Sequence, residues 1–149
     1  SLTSKNLGVV PASTIPEGIA ALLEFDVSTS LENNLIRMQG SLDGVSTIEV
    51  CKAVRPVNLN GVAVGDDQII GLLDRQLVAA ADTAEAALSD ALAQVLKEHS
   101  ELVTLFWGGP MTENEAAQTV QNLEARFESV EFELVRGGQP HYHFLASVE

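Results

Sequence analysis

The sequence predicts an α/β fold in which helices pack on a mixed β-sheet. Residues 80–149 alternate strand-like and helix-like segments in the order β-α-β-α-β-β, and the links between them are short. Such alternation is typical of parallel strands joined by helical crossovers. Residues 45–80 instead carry short apolar runs separated by turn signals, which indicates antiparallel hairpins in the middle of the chain.

The chain is predicted to divide into an N-terminal lobe, residues 1–44, and a C-terminal α/β lobe, residues 45–149. In the first lobe, residues 7–10 predict a short buried strand. A helix begins near Pro16, which suits the first helical turn because proline has no N–H to leave unpaired there. A second helix follows over residues 31–42. One strand with two helices is a partial lobe, so we expect its domain to continue upstream.

Three turn signals organise the antiparallel middle section. Asn60-Gly61 is a strong hairpin signal, because both turn residues need positive φ. Residues 65–67 and 74–76 predict two further turns. Short strands fill the intervals between these turns.

The C-terminal helices carry clear start signals. Asp82 or Thr83 caps one helix, and Thr112 with Glu115 forms a capping box for the next. Between them, the apolar run 102–107 predicts a strand covered on both faces.

The end of the chain predicts a final strand that returns antiparallel across Gly137-Gly138. Its alternation places Tyr142 and Phe144 on the core face and the two neighbouring histidines on the opposite face.

Composition excludes several functions. Eight Lys+Arg against 21 Asp+Glu give a net charge of −13, which argues against nucleic-acid binding and against docking on an anionic membrane. Cys51 is the only cysteine, so an internal disulfide is impossible. No apolar run approaches the length of a membrane span, and no secretory leader is visible. We expect a cytoplasmic protein without membrane insertion. Because the chain begins at Ser1 without Met, we also expect a fragment whose catalytic part lies upstream.

No catalytic, cofactor or metal site emerges from the residues. His141 and His143 form a His-x-His pair without a visible third ligand, and the loop after residue 107 lacks a phosphate-binding motif. The acidic residues of the middle section sit at turn positions, where aspartate is common for structural reasons. Cys51 has no histidine base beside it.

The segment Gly137-Gly138-Gln139-Pro140 is the candidate partner-binding site, together with His141. A tight turn is the simpler interpretation and explains the two glycines. It does not explain Gln139 and Pro140, so contact with a partner is the second interpretation.

Two stretches resemble a known family. The segment 5–22, KNLGVVPASTIPEGIAAL, and the ending RGGQPHYHFLASVE, which starts at Arg136, are similar to the carboxy-terminal region of the bacterial fatty acid kinase subunit. That protein is a dihydroxyacetone-kinase-like, DegV-associated kinase. Residues 49–55, 60–62 and 70–74 resemble further parts of the same region in the same order. Cys51 and the histidine pair depart from the family pattern, which weakens the case for a metal site at the histidines or for a reactive thiol at Cys51.

The resemblance implies membership of an ATP-dependent kinase, with ATP and Mg²⁺ in an upstream domain and none in this fragment. In that family, the carboxy-terminal region docks a fatty-acid-binding, DegV-like partner whose acyl carboxylate is phosphorylated. We therefore expect an inactive docking module. The alternatives are a regulatory ligand-binding module or a homodimerisation module of a dihydroxyacetone (glycerone)-type kinase.

Overall fold

The structure is a computed structural model and describes residues 5–96 and 102–149. The chain divides after Val45 into two compact units. The helices are α1 (Ile15–Leu23), α2 (Leu31–Gly40), α3 (Ala84–Val95) and α4 (Glu113–Arg126). The strands are β1 (Ser46–Lys52), β2 (Val57–Leu59), β3 (Val62–Val64), β4 (Ile69–Leu73), β5 (Gln76–Ala81), β6 (Leu102–Trp107), β7 (Glu131–Arg136) and β8 (Tyr142–Val148).

The first unit contains α1 and α2, followed by a 3-10 turn at Leu42–Gly44. Thr14 is the N-cap of α1 and forms a capping box with Glu17. Ser30 caps α2 through the backbone N–H of Asn33. Each cap satisfies a backbone donor that has no partner inside its helix, so both helices begin where the sequence predicts.

The predicted strand at residues 7–10 is wrong. This segment has no secondary structure, and Leu7 and Val9 are 76% and 79% exposed. A strand needs a neighbour for its backbone N–H and C=O groups, and the described part of the first unit contains no strand to pair with it.

The second unit is built on a six-stranded sheet in the order β5-β4-β1-β8-β6-β7. β6 and β7 are parallel, and every other neighbouring pair is antiparallel. It follows that β1, β5, β6 and β7 point the same way, while β4 and β8 run against them. β2 and β3 form a separate hairpin. This mixed sheet with packed helices confirms the predicted fold class.

The hairpin turns lie where the sequence predicts them. Asn60 and Gly61 have positive φ between β2 and β3, and Asp74 and Arg75 have positive φ between β4 and β5. Positive φ at both turn residues matches the right-handed twist of the flanking strands.

The position of β8 differs from a simple hairpin. β8 runs antiparallel as predicted, but it pairs with β1 and β6 and not with the preceding strand β7. A central position gives β8 hydrogen-bond partners on both edges, which suits a strand whose last five residues are buried.

One core joins the sheet to α3 and α4. Leu88 and Leu92 of α3 and Leu123 of α4 are at most 1% exposed. On β6, Val103 and Leu105 are fully buried while the intervening residues are half-buried, so this strand is covered mainly on one face and not on both as predicted. Among the residues that the structure describes, no helix has the length and apolar character needed to cross a membrane.

Candidate functional site

The two parallel strands β6 and β7 end side by side, with Trp107 opposite Arg136. The loops that follow them, residues 108–112 and 137–141, therefore leave the same edge of the sheet. In open α/β sheets, ligands bind outside the carboxyl ends of the strands. This edge carries all four residues of the predicted partner-binding site.

The 137–141 loop is held by backbone hydrogen bonds. The N–H groups of Gly137 and Gly138 both donate to the Trp107 carbonyl oxygen, at 3.0 and 3.1 Å. The N–H of Gly109 donates to the Gln139 carbonyl oxygen at 2.8 Å. These bonds tie the loop to the end of β6 and to the 108–112 loop, so its shape is set before any partner arrives.

Glycine is required at two positions of this edge. Gly138 has a φ of +71°, which a residue with a Cβ adopts only with strain. A Cβ on Gly108 would overlap the Tyr142 carbonyl oxygen and lie 2.6 Å from that of Gln139. The turn interpretation therefore explains the glycines, as the sequence suggests.

Gln139 has a structural task that the sequence does not reveal. Its side-chain amide donates a 2.7 Å hydrogen bond to the Phe106 carbonyl oxygen, and the residue is half-buried. Gly137, Gly138 and His141 are exposed. Partner binding by these four residues stays a prediction, with the exposed three available for contact and Gln139 positioning the loop.

Arg136 is a further surface feature of this edge, and sequence reasoning missed it. Its guanidinium lies 5.6 Å from the ring centre of Trp107, within the range of a cation–π interaction. Arg136 is exposed in a chain with few cations. Its position at the end of a half-exposed strand, directly before two glycines, could have indicated this from the sequence.

A β-bulge overturns the predicted faces of Tyr142 and His143, while Phe144 lies in the core as predicted. Val50 of β1 pairs with Phe144, but the next residue, Cys51, pairs with Tyr142. The extra residue, His143, shifts the alternation by one. His143 therefore reaches the helix-covered face, while Tyr142 reaches the other face. A bulge changes the alternation of side chains locally, and the sequence pattern of a single strand does not predict where a bulge occurs.

His143 lines a cleft of about 430 Å³ between the starts of α3 and α4. Its Nδ1 atom is buried without a hydrogen-bond partner. Burial lowers the pKa of His143, because the charged imidazolium is poorly solvated there, and the nearby Val50 backbone partly opposes this effect. The other residues that line the cleft are Ile69, Asp82, Thr83, Ala84, Glu85, Pro110, Met111, Glu115, Gln118 and Thr119.

The carboxylate of Glu115 in this cleft is already engaged. It accepts hydrogen bonds from the backbone N–H of Thr112 at 2.8 Å and from the Thr112 hydroxyl at 2.7 Å. These bonds lower the pKa of Glu115 and keep it ionised at the start of α4. A phosphate in the cleft would meet this negative charge, which agrees with the absence of a phosphate-binding motif from the sequence.

Tyr142 contacts Glu49 on the opposite face of the sheet. The nearby carboxylate of Glu49 raises the pKa of the Tyr142 phenol. Burial raises the pKa of the Cys51 thiol, and the charge of Glu49 adds to that effect. Since the thiolate is the reactive form, Cys51 is held in its less reactive state.

The acidic turn residues serve the fold. Asp67 pairs with Lys52 at 2.7 Å, and the Asp74 carboxylate accepts a 2.8 Å hydrogen bond from the Thr47 N–H. Within residues 5–96 and 102–149, no group of three or more His, Cys, Asp or Glu side chains is arranged to hold a metal ion.

Comparison with known proteins decides the family. A family model for the C-terminal region of FakA-like fatty acid kinase subunits matches residues 1–149. The chain belongs to this family. Among relatives, an uncharacterized protein of Staphylococcus haemolyticus is 34% identical over 149 residues, and one of Staphylococcus aureus strain USA300 is 30% identical over the same length.

The FakA-like C-terminal region spans only part of those relatives. The alignment covers 100% of this chain but 27% of each of the two staphylococcal proteins. Taken with the family description, this makes the chain the counterpart of a carboxy-terminal module in a larger fatty-acid-kinase-like protein.

Proposed function

We propose that this chain docks a fatty-acid-binding, DegV-like partner onto a fatty-acid-kinase-like phosphotransferase. Docking brings the acyl carboxylate of the partner close to ATP held in another domain of the same kinase. The module contributes position and no catalytic group. Its effect is a high local concentration of one reactant beside the other, which lowers the entropic part of the barrier.

The observation that supports this proposal is the preformed, exposed loop 137–141 at the carboxyl edge of β6 and β7. Hydrogen bonds from Gly137, Gly138 and Gln139 hold it in one shape. A loop that is ordered before binding loses little conformational entropy when a partner arrives. His141 and Arg136 are exposed at this edge and offer polar and cationic contacts.

We further propose that ATP and Mg²⁺ bind in the part of the parent polypeptide that precedes this region, and that the parent is an ATP-dependent kinase acting in the cytoplasm. Family membership supports this assignment. The docking module alone is then inactive.

The test is calorimetric titration of the intact parent with the DegV-like protein of the same organism, loaded with a long-chain fatty acid. His141→Asp and Arg136→Ala are made separately in the parent. We expect each to weaken binding about tenfold, which corresponds to ~1.4 kcal/mol. Both residues are exposed, so neither change removes a core contact.

Arg55→Ala is the matched control, because Arg55 is an exposed arginine of the same unit. It should leave the Kd unchanged. If the variants at both positions bind as tightly as the wild type, this loop is not the docking face. If the wild-type parent does not bind the loaded partner, the docking function itself is refuted.

The cleft beside His143 favours a second candidate, a regulatory ligand-binding role in a dihydroxyacetone-type kinase. A ligand seated there would lie beside the His143 ring and change the titration of that histidine. Dihydroxyacetone added to the parent should then shift the NMR resonance of His143 and leave that of His141 in place. An unchanged His143 resonance refutes this candidate for dihydroxyacetone.

A further inference from the structure

Large apolar side chains are exposed mainly in the first unit. Of the 14 that stand out among the described residues, ten precede Val45. Six of them form the segment that we call the 15–27 surface. They are Ile15, Ile19, Leu22, Leu23, Phe25 and Val27.

The first unit lacks a core of its own. Among residues 5–45, only Pro16, Ala21 and Asn34 are buried. A unit of about 40 residues buries too little surface to be stable alone without a disulfide, a metal or a partner. The four apolar residues of α1 repeat with helical spacing, as a core-facing stripe does.

Partly buried and exposed polar contacts link α2 to the segment that follows α1. The side chain of Asn34 donates to the Asp26 carbonyl oxygen and accepts from the Asp26 N–H, both at 2.8 Å. Arg37 pairs with Glu24 at 3.2 Å and with Asp26 at 3.6 Å. These polar contacts leave the apolar side chains of α1 exposed. Such exposure is typical of an element that is buried within a larger structure.

We propose that the 15–27 surface packs against the part of the parent polypeptide that precedes this region and completes a core there. The staphylococcal relatives are nearly four times as long as the aligned region, and the family description places that region at the carboxy-terminal end. The preceding part is therefore covalently attached to the first unit, at an effective concentration that a separate partner does not reach. A net charge of −13 disfavours an anionic lipid surface as the occupant.

The test is hydrogen exchange, read by mass spectrometry, on the purified wild-type parent. A nine-residue helix exposed to water frays, so an uncovered α1 exchanges fast. We expect the exchange rates of the α1 amides to lie within tenfold of those of the α4 amides, because α4 packs on the core of the second unit. Exchange of α1 more than tenfold faster than that of α4 overturns the proposal.

A pair of matched substitutions locates the contact. Val27 and Val54 are 87% and 98% exposed. Glutamate is therefore equally well exposed to water at the two positions, unless the rest of the parent covers one of them. Val27→Glu should speed exchange in α1 at least tenfold, while Val54→Glu should change it less than twofold. Equal effects of the two substitutions refute the assignment of this surface.

Light scattering on the same samples distinguishes packing within one polypeptide from packing against a second copy of the parent. Protection of α1 in the monomeric parent supports packing within one polypeptide. Protection that appears only where the parent forms a dimer makes a second copy the occupant and overturns the proposal. The docking function is unaffected by either result, because it concerns a loop of the second unit.

Discussion

Gly108→Ala is expected to be among the most damaging small substitutions in the second unit. The added Cβ would overlap the Tyr142 carbonyl oxygen and lie 2.6 Å from the carbonyl oxygen of Gln139. Both obstacles are backbone atoms, which move only if the loop and the start of β8 move with them. Gly109→Ala is the matched control, because its Cβ would lie 3.6 Å from the nearest atom, in ordinary contact.

The magnitude follows from the contacts that the substitution disturbs. Forcing a methyl group into packed surroundings costs about 1–3 kcal/mol. The displacement also threatens two hydrogen bonds, from the Gly108 N–H to His143 at 3.0 Å and from the Gly109 N–H to Gln139 at 2.8 Å, each worth about 1 kcal/mol. We expect Gly108→Ala to lose about 3–5 kcal/mol of the free energy of unfolding.

Urea unfolding of this chain measures the loss. Trp107, the only tryptophan of the sequence, adjoins Gly108 and reports the unfolding of this edge by fluorescence. With an m-value of about 2 kcal/mol/M, the midpoint should fall by about 1.5–2.5 M for Gly108→Ala. Gly109→Ala should stay near the wild type. Equal midpoints for the two variants would refute the reasoning from backbone overlap.

Three further predictions concern the second unit. Arg75 has a φ of 68°, so Arg75→Gly should raise the free energy of unfolding by about 1 kcal/mol in urea titration, and a loss would contradict strain at this turn. Burial lowers the pKa of His143 below the unfolded value of 6.5, so the unfolded state binds more protons and stability falls from pH 7 toward pH 5. His143→Gln should flatten that slope, as thermal melts at several pH values will show, and an unchanged slope would contradict the effect of burial on His143. Leu88 is fully buried, so Leu88→Ala should cost about 2–5 kcal/mol by denaturant unfolding, and a loss below 1 kcal/mol would place it outside the core.

The candidate site shows where sequence reasoning succeeds and where it stops. The sequence identifies the 137–141 segment as unusual and attributes its glycines to a turn, and the φ of Gly138 agrees. It does not reveal that the amide of Gln139 bonds to Phe106, because that contact joins residues 33 positions apart. The exposure of Arg136 over Trp107 depends in the same way on the pairing of β6 with β7.

Local signals by themselves determined the helices and the turns of this protein. Each helix cap involves a side chain and a backbone N–H three residues apart, so both partners can be identified from a short stretch of sequence. The capping residues are Thr14, Ser30, Thr83 and Thr112. The positive-φ turn at Asn60 is equally local. The mixed sheet followed from the order of these elements.

The tertiary structure alone decided which segments find partners and which faces they present. Residues 7–10 have a strand-like sequence but form no strand and pair with none in the described part of the chain, and β8 enters the middle of the sheet instead of pairing with β7. The bulge at His143 then reverses the faces of His143 and Tyr142. Strand pairing and bulges depend on hydrogen bonds between segments far apart in the chain, and a periodic pattern within one segment contains no information about them.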